Sequence, residues 1–191
     1  MRGRLIVVSG PSGAGKSTLI RASLDEVQDL AYSVSATTRK PREGEVNGQH
    51  YVFLSRERFE SWIEDGRFLE WAEYSGNLYG TPEDQVEELL DLGRSVILEI
   101  ELQGARKVRQ KRPDAVMVFV RTPSLEETRR RLEGRATETV EALESRMKTA
   151  VREVAARDEF DYEVVNGEPD KAREEMINLM TKIAEGGNDA E

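Results

Sequence analysis

Gly10-Pro11-Ser12-Gly13-Ala14-Gly15-Lys16-Ser17 follows the apolar run Leu5-Ile6-Val7-Val8 and opens a segment with helical periodicity. The spacing is GxxxxGK[ST], a phosphate-binding loop in the strand-then-helix setting that such a loop requires. Its glycines let successive backbone N–H groups turn inward around phosphate oxygens, and a helix starting at Lys16 aims the positive end of its dipole at them. Lys16 is expected to reach the β- and γ-phosphates and the Ser17 hydroxyl to ligate Mg²⁺, with Thr18 beside them. The stretch therefore reads as a nucleoside triphosphate site running from Gly10 to Thr18.

Outward from this loop, apolar runs recur at Leu5–Val8, Val96–Leu98, Val116–Val120 and Glu163–Val165, separated by longer amphipathic segments. That alternation predicts an α/β domain with a mostly parallel sheet flanked by helices. Apolar residues three and four apart predict helices over Lys16–Gln28, Gln103–Lys111, Leu125–Glu133, Val140–Asp158 and Ala172–Ala184. Between about residues 35 and 93 the rhythm changes. Short alternating segments such as Tyr51–Leu54 and Phe68–Trp71, punctuated by Gly44, Gly48, Gly66 and Gly76, predict antiparallel strands in an inserted lobe. Residues 187–191 read as a frayed tail.

The 191 residues suit one compact domain with such an insertion. Cysteine is absent, which excludes disulfides and cysteine-bound zinc. No apolar run approaches membrane-spanning length and no apolar signal core is seen, so a soluble cytoplasmic protein without a membrane partner is expected. With 37 acidic against 28 basic residues, the net charge of −9 repels polyanions and argues against a nucleic-acid partner. Anionic ligands must then be drawn by local clusters: Arg39-Lys40 with Arg42, and Arg129-Arg130-Arg131 with Arg135.

Five pieces in register carry a family resemblance. After the loop come Ser35-Ala36-Thr37-Thr38-Arg39-Lys40-Pro41-Arg42-Glu43-Gly44-Glu45, Gly48-Gln49-His50-Tyr51-Val52-Phe53, Phe68-Leu69-Glu70 and Leu78-Tyr79-Gly80-Thr81. From about Arg4 to about Ala184 the chain resembles guanylate kinase. The resemblance implies transfer of the γ-phosphoryl group of ATP to GMP, giving ADP and GDP, in purine nucleotide metabolism. It also implies a P-loop kinase core with a five-stranded mostly parallel sheet (1–34 and 94–186), a small mixed α/β GMP-binding lobe (35–93) and a lid at about 134–146.

The chemistry of the residues agrees with that implication. Arg39 and Arg42 near Tyr51 and Tyr79 offer two charged forks and two phenolic donors to a phosphate dianion, and the family positions assign these four to the GMP phosphate. Guanine presents N1–H and N2–H₂ donors, so a carboxylate facing them selects it over adenine, whose bare N1 would leave the acid unpaired. Glu70 is that candidate. The resemblance adds Ser35, Gly80, Thr81 and Glu101 to the GMP contacts.

Phosphoryl transfer asks chiefly for position and positive charge, because the transition state is loose and the attacking phosphate oxygen is already ionised. A chain with a single histidine, His50, can meet those needs. The resemblance places Lys16, Arg39 and the lid arginines Arg131, Arg135 and Arg146 on the transferring group, and Asn166 near the adenine. Val96-Ile97-Leu98-Glu99-Ile100-Glu101 has the form of a Walker B strand. The family usually carries Asp-x-Asp there; with Glu99 and Glu101, a water-mediated contact from Glu99 to Mg²⁺ can absorb the extra methylene. Ala136 stands for the commoner lid glycine. Two other readings stay open at this point: a noncatalytic interaction module, and the same fold acting on a phosphorylated sugar.

Overall fold

The computed structural model describes residues 1–74, 76–134 and 140–186. β1 (Leu5–Ser9) is the central strand of a five-stranded sheet, entirely buried. It pairs in parallel with β7 (Ser95–Glu99) on one side and β8 (Val116–Arg121) on the other. β2 (Leu30–Tyr32) and β9 (Tyr162–Val165) complete the order β2-β7-β1-β8-β9, with every neighbouring pair parallel. A continuous apolar run is what a strand covered on both faces requires. Ile6 and Val8 point into one core with Leu19, Ile20, Met176 and Met180, while Leu5 and Val7 point into another with Val86, Leu90, Ala105 and Val108.

The first core lies under α1 (Lys16–Glu26) and α7 (Pro169–Ala184), the second under α3 (Glu83–Asp91) and α4 (Leu102–Lys111). Four of the five strands are readable as apolar runs; β2, three residues long, is not. α1 stops at Glu26, two residues before its predicted end. α7 begins at Pro169, whose missing N–H costs nothing at a helix start. α6 (Val140–Ala155) ends before the predicted Asp158, and a 3₁₀ turn over Arg157–Glu159 takes over. α5 (Leu125–Glu133) keeps its predicted bounds, with Ser124 capping its start by accepting from the Glu127 N–H.

The inserted region forms a second sheet of order β4-β3-β6-β5 from β3 (Ala36–Thr37), β4 (Val52–Phe53), β5 (Phe68–Tyr74) and β6 (Asn77–Pro82). Its pairing is not all antiparallel as predicted: β3 and β4 run parallel. α2 (Arg56–Glu64), capped by Ser55, crosses this sheet and buries Phe59 against Phe68, ring centroids 4.4 Å apart. α3 lies inside the predicted 35–93 lobe by number but packs on the main sheet. The predicted tail at 187–191 lies outside the described residues.

Candidate active site

The loop between β1 and α1 carries backbone angles that only glycine takes without strain. Gly10 has φ 138° and lies so close to the Val120 carbonyl that a Cβ would stand 1.9 Å from its oxygen. Gly15, φ 87°, precedes α1 without any side-chain cap, so the first N–H groups of the helix stay open toward an anion. A Cβ here would meet the Asn166 Nδ2 at 2.3 Å, and that Nδ2 donates to the Ala14 carbonyl at 2.8 Å. Lys16 folds over the loop, its Nζ donating to the Gly10 and Pro11 carbonyls at 2.5 and 3.2 Å.

Ser17 Oγ donates to Glu99 Oε1 at 2.8 Å. The two residues expected to share the metal are thus in contact across the β1–β7 pair. A hydroxyl and a carboxylate fit Mg²⁺, which keeps several waters and needs few protein ligands beside substrate phosphates. Among the described residues no cluster of three acidic or histidine side chains offers a dedicated metal cage. Glu101 stands just before α4; desolvation raises its carboxyl, with Lys16 opposing.

Beside the loop, an open cavity of about 370 Å³ is lined by Gly13, Gly15, Thr18, Arg131 and Asn166, within the size range of small-ligand sites (roughly 300–1,000 Å³). Arg131 donates to Glu127 at 2.7 Å and to the Asn166 carbonyl at 2.8 Å, which fixes it at the cavity wall. Arg146, on α6, hydrogen-bonds the Ser12 hydroxyl. Of the three arginines expected on the lid, the two that can be described, Arg131 and Arg146, thus meet the phosphate loop or Asn166, which braces it. Arg135, with Ala136, lies outside the described residues.

Strand register brings the guanine candidates into line. Ala36 stands opposite Gly80, which sets Ser35 beside Thr81 one residue back, and Thr81 is opposite Glu70. The register shifts by one residue between Phe68 and Glu70, a bulge that re-aims the chain. Phe68 enters the small core, Leu69 the main core, and Glu70 is left 7% exposed with its Oε1 accepting from the Thr81 hydroxyl at 2.8 Å. Its Oε2 lies against α4 at Gly104, 2.8 Å from where a Cβ would be. Burial pushes the Glu70 carboxyl up; the Thr81 hydrogen bond and the charges of Lys107 and Lys111 pull it back. Gly80 fits its strand for packing reasons as well, since a Cβ would stand 2.9 Å from the Phe68 ring.

Arg39 and Arg42 meet at Glu45. Arg39 forms a two-pronged ion pair with this carboxylate at 2.8 and 2.9 Å, and the Arg42 backbone N–H donates to it at 2.7 Å. Tyr51 and Tyr79 pack edge to face, centroids 6.1 Å apart, and the Arg39 guanidinium lies over the Tyr51 ring at 5.3 Å. Sequence reading missed Glu45, Gly104, Lys107 and Lys111. Lys107 and Lys111 donate to the Trp71 and Phe68 carbonyls on either side of Glu70, so α4 grips the strand that carries the acid. Their i, i+4 spacing is visible in sequence, but not what they touch.

An intact phosphate loop at the end of an all-parallel sheet, with an inserted lobe that carries an arginine–tyrosine cluster and a buried acid, is the arrangement of a P-loop phosphotransferase. The guanylate kinase family model matches residues 2–183, and the chain belongs to that family. It is 76% identical over 187 residues to the guanylate kinase of Rubrobacter xylanophilus, covering 98% of each chain. It is 49% identical over 178 residues to that of Desulfitobacterium hafniense, covering 93% of this chain and 89% of the relative. The crystal structure of guanylate kinase from Anaplasma phagocytophilum superposes with a TM-score of 0.74 at 32% identity, over 94% of this chain and 85% of that one. A sugar kinase from Janibacter, 18% identical with a TM-score of 0.51 over 96% of this chain and 95% of its own, shares the fold alone.

Proposed function

We propose that the chain transfers the γ-phosphoryl group of ATP to GMP with its residues in the following roles. Backbone N–H groups of the loop from Gly10 to Thr18 and the Lys16 ammonium hold the donor's phosphates; Asn166 borders the donor's base. Arg39, Arg42, Tyr51 and Tyr79 grip the acceptor's phosphate, with Glu101 close by. Ser35, Glu70 and Thr81 read guanine, and Gly80 lets their strands approach. An oxygen of the GMP phosphate attacks the γ-phosphorus, the bond to the β,γ-bridging oxygen breaks, and ADP leaves with that electron pair. No protein base is required, because the attacking oxygen carries its own charge.

Mg²⁺ bound with ATP would neutralise β- and γ-phosphate oxygens, held by Ser17 and, through water, by Glu99. Arg131, Arg135 and Arg146 supply positive charge where the transferring group passes. Residues 1–34 and 94–186 together with α3 act as the catalytic core, the rest of 35–93 as the acceptor lobe and about 134–146 as the lid. Among the described residues no helix is long and apolar enough to cross a membrane. The reading also includes a cytoplasmic location and, from the net charge of −9, no nucleic-acid partner.

The observation that carries the reading is Glu70, a buried carboxylate with one oxygen held by Thr81 in the lobe that also holds the phosphate clamp. Coupled ADP release with GMP, AMP, CMP and UMP as acceptors tests it. GMP should dominate; a preference for AMP would remove the role of Glu70.

A further inference from the structure

Glu45 has no role above except as the partner of Arg39 and of the Arg42 main chain, yet its bonds decide which N–H groups of Arg39 stay available to a ligand. A guanidinium offers five N–H groups in a rigid fork. The Glu45 carboxylate fills the end of that fork, taking Nη1 at 2.9 Å and Nη2 at 2.8 Å. The second Nη1 proton goes to the Lys40 carbonyl at 2.8 Å. What remains is one edge, formed by Nε and the other Nη2 proton. The Tyr79 hydroxyl is, after Glu45, the side chain that helps to hold Arg39 protonated. Tyr51 and Phe53 rings, 5.3 and 5.8 Å from the guanidinium carbon, fix its plane. Glu45 also closes the turn that carries Arg42: its oxygen accepts the Arg42 N–H, and its own N–H donates to the Arg42 carbonyl at 3.1 Å.

We propose that Glu45 is a positioning residue for the acceptor phosphate: it fills the end of Arg39 and ties down the Arg42 main chain, so that the Nε–Nη2 edge of Arg39 faces a phosphate monoester in a fixed orientation. The assignment rests on the reading of Arg39 and Arg42 as the acceptor's phosphate grip. A two-pronged phosphate contact needs two N–H groups on one edge, and Glu45 leaves the Nε–Nη2 edge of Arg39 to the Tyr79 hydroxyl and to such a phosphate. Glu45 is therefore not a stand-in anion that GMP must displace. The Arg39 guanidinium and the Arg42 N–H hold its carboxyl down at about 2, so the frame stays ionised throughout the neutral range.

Steady-state kinetics with GMP and ATP varied separately, on the wild type, Glu45→Gln, Arg39→Lys and the double variant, test the proposal. Glu45→Gln places an amide donor against an arginine donor. It should raise KM for GMP about tenfold or more while kcat, KM for ATP and Tm change little. Glu45→Asp, which keeps the charge but loses reach, should fall between. On an Arg39→Lys background the Gln substitution should add less than about twofold, since the fork it orients is gone. A KM for GMP that is unchanged or lower in Glu45→Gln, equal rises in both KM values, or full additivity in the double variant would each overturn the proposal. Calorimetric GMP binding separates it from the function. Should the wild type fail to phosphorylate GMP, the function falls, while weaker GMP binding by Glu45→Gln still supports the role of Glu45 and unchanged binding overturns it.

Discussion

Arg146 of α6 reaches back 134 positions to hydrogen-bond the hydroxyl of Ser12 on the phosphate loop. α6 and the phosphate loop are thereby linked through a charged side chain. If that charge stabilises the transition state, Arg146→Ala should lower kcat by about 10²–10³ with modest change in either KM. Ser12→Ala, which removes only the hydroxyl contact, should stay within about threefold. Equal losses in the two variants would make the contact a structural tie alone.

Glu70 and Gly104 form a second linked pair. Adding a methyl group at Gly104 would meet the Glu70 Oε2 at 2.8 Å, and Thr81 limits where the carboxylate can retreat. Gly104→Ala is expected to raise KM for GMP severalfold or more and leave KM for ATP nearly unchanged. Glu70→Gln should lower kcat/KM for GMP by about tenfold to a hundredfold, the worth of a charge-assisted bond, and narrow the preference over AMP. An acceptor profile untouched by either substitution would place base selection elsewhere.

Ser17 and Glu99 touch at 2.8 Å, which predicts that both serve the same ion. Glu99→Ala should raise the Mg²⁺ concentration needed for half-maximal rate, with the rate largely restored at saturating metal. Titrating Mg²⁺ at fixed ATP checks this. An unshifted titration would confine Glu99 to holding Ser17. Glu99→Asp with Glu101→Asp should not raise turnover as much as a hundredfold, because a water can fill the gap that a shorter side chain leaves.

Glu153 lies seven residues beyond Arg146 on α6 and so on the same face, where it is 7% exposed. Burial pushes its carboxyl up to about 7; Lys16 opposes and Glu101 adds to the rise. In the unfolded chain it ionises near the ordinary glutamate value, so between the two values the folded state holds the extra proton. Stability contributed by this group therefore falls as pH rises through about 7, and the penalty is absent below the unfolded value. Glu153→Gln should raise Tm by a few degrees at about pH 8, with the gain shrinking toward about pH 5. A gain that grows with acidity would reverse the assignment.

The phosphate loop and its flanking strand and helix were readable because each residue there is chosen by local geometry: glycines for their angles, an apolar run for a strand covered on both faces. β2 was not, since Leu30-Ala31-Tyr32 is too short to show a period and is a strand only because β7 lies beside it. The bulge at Leu69 hid the environment of Glu70. Simple alternation puts Phe68 and Glu70 on one face, whereas the extra residue sends three consecutive side chains into three different surroundings. Among the clamp residues, the arginines and tyrosines announced themselves by type. Glu45 did not, because an acid in a turn looks solvated until its partners are placed.

Asn166 follows the last strand and holds the Ala14 carbonyl across 152 positions, filling the space a side chain at Gly15 would need. The nucleotide cradle is thus written at the beginning of the chain and finished near its end. During synthesis the loop emerges early, but its shape is completed only after β9 has been made and has docked on β8. A ribosome-bound chain arrested before Tyr162 should retain ATP far less well than one extended past Ala184, so commitment to ligand comes late in the life of the nascent chain.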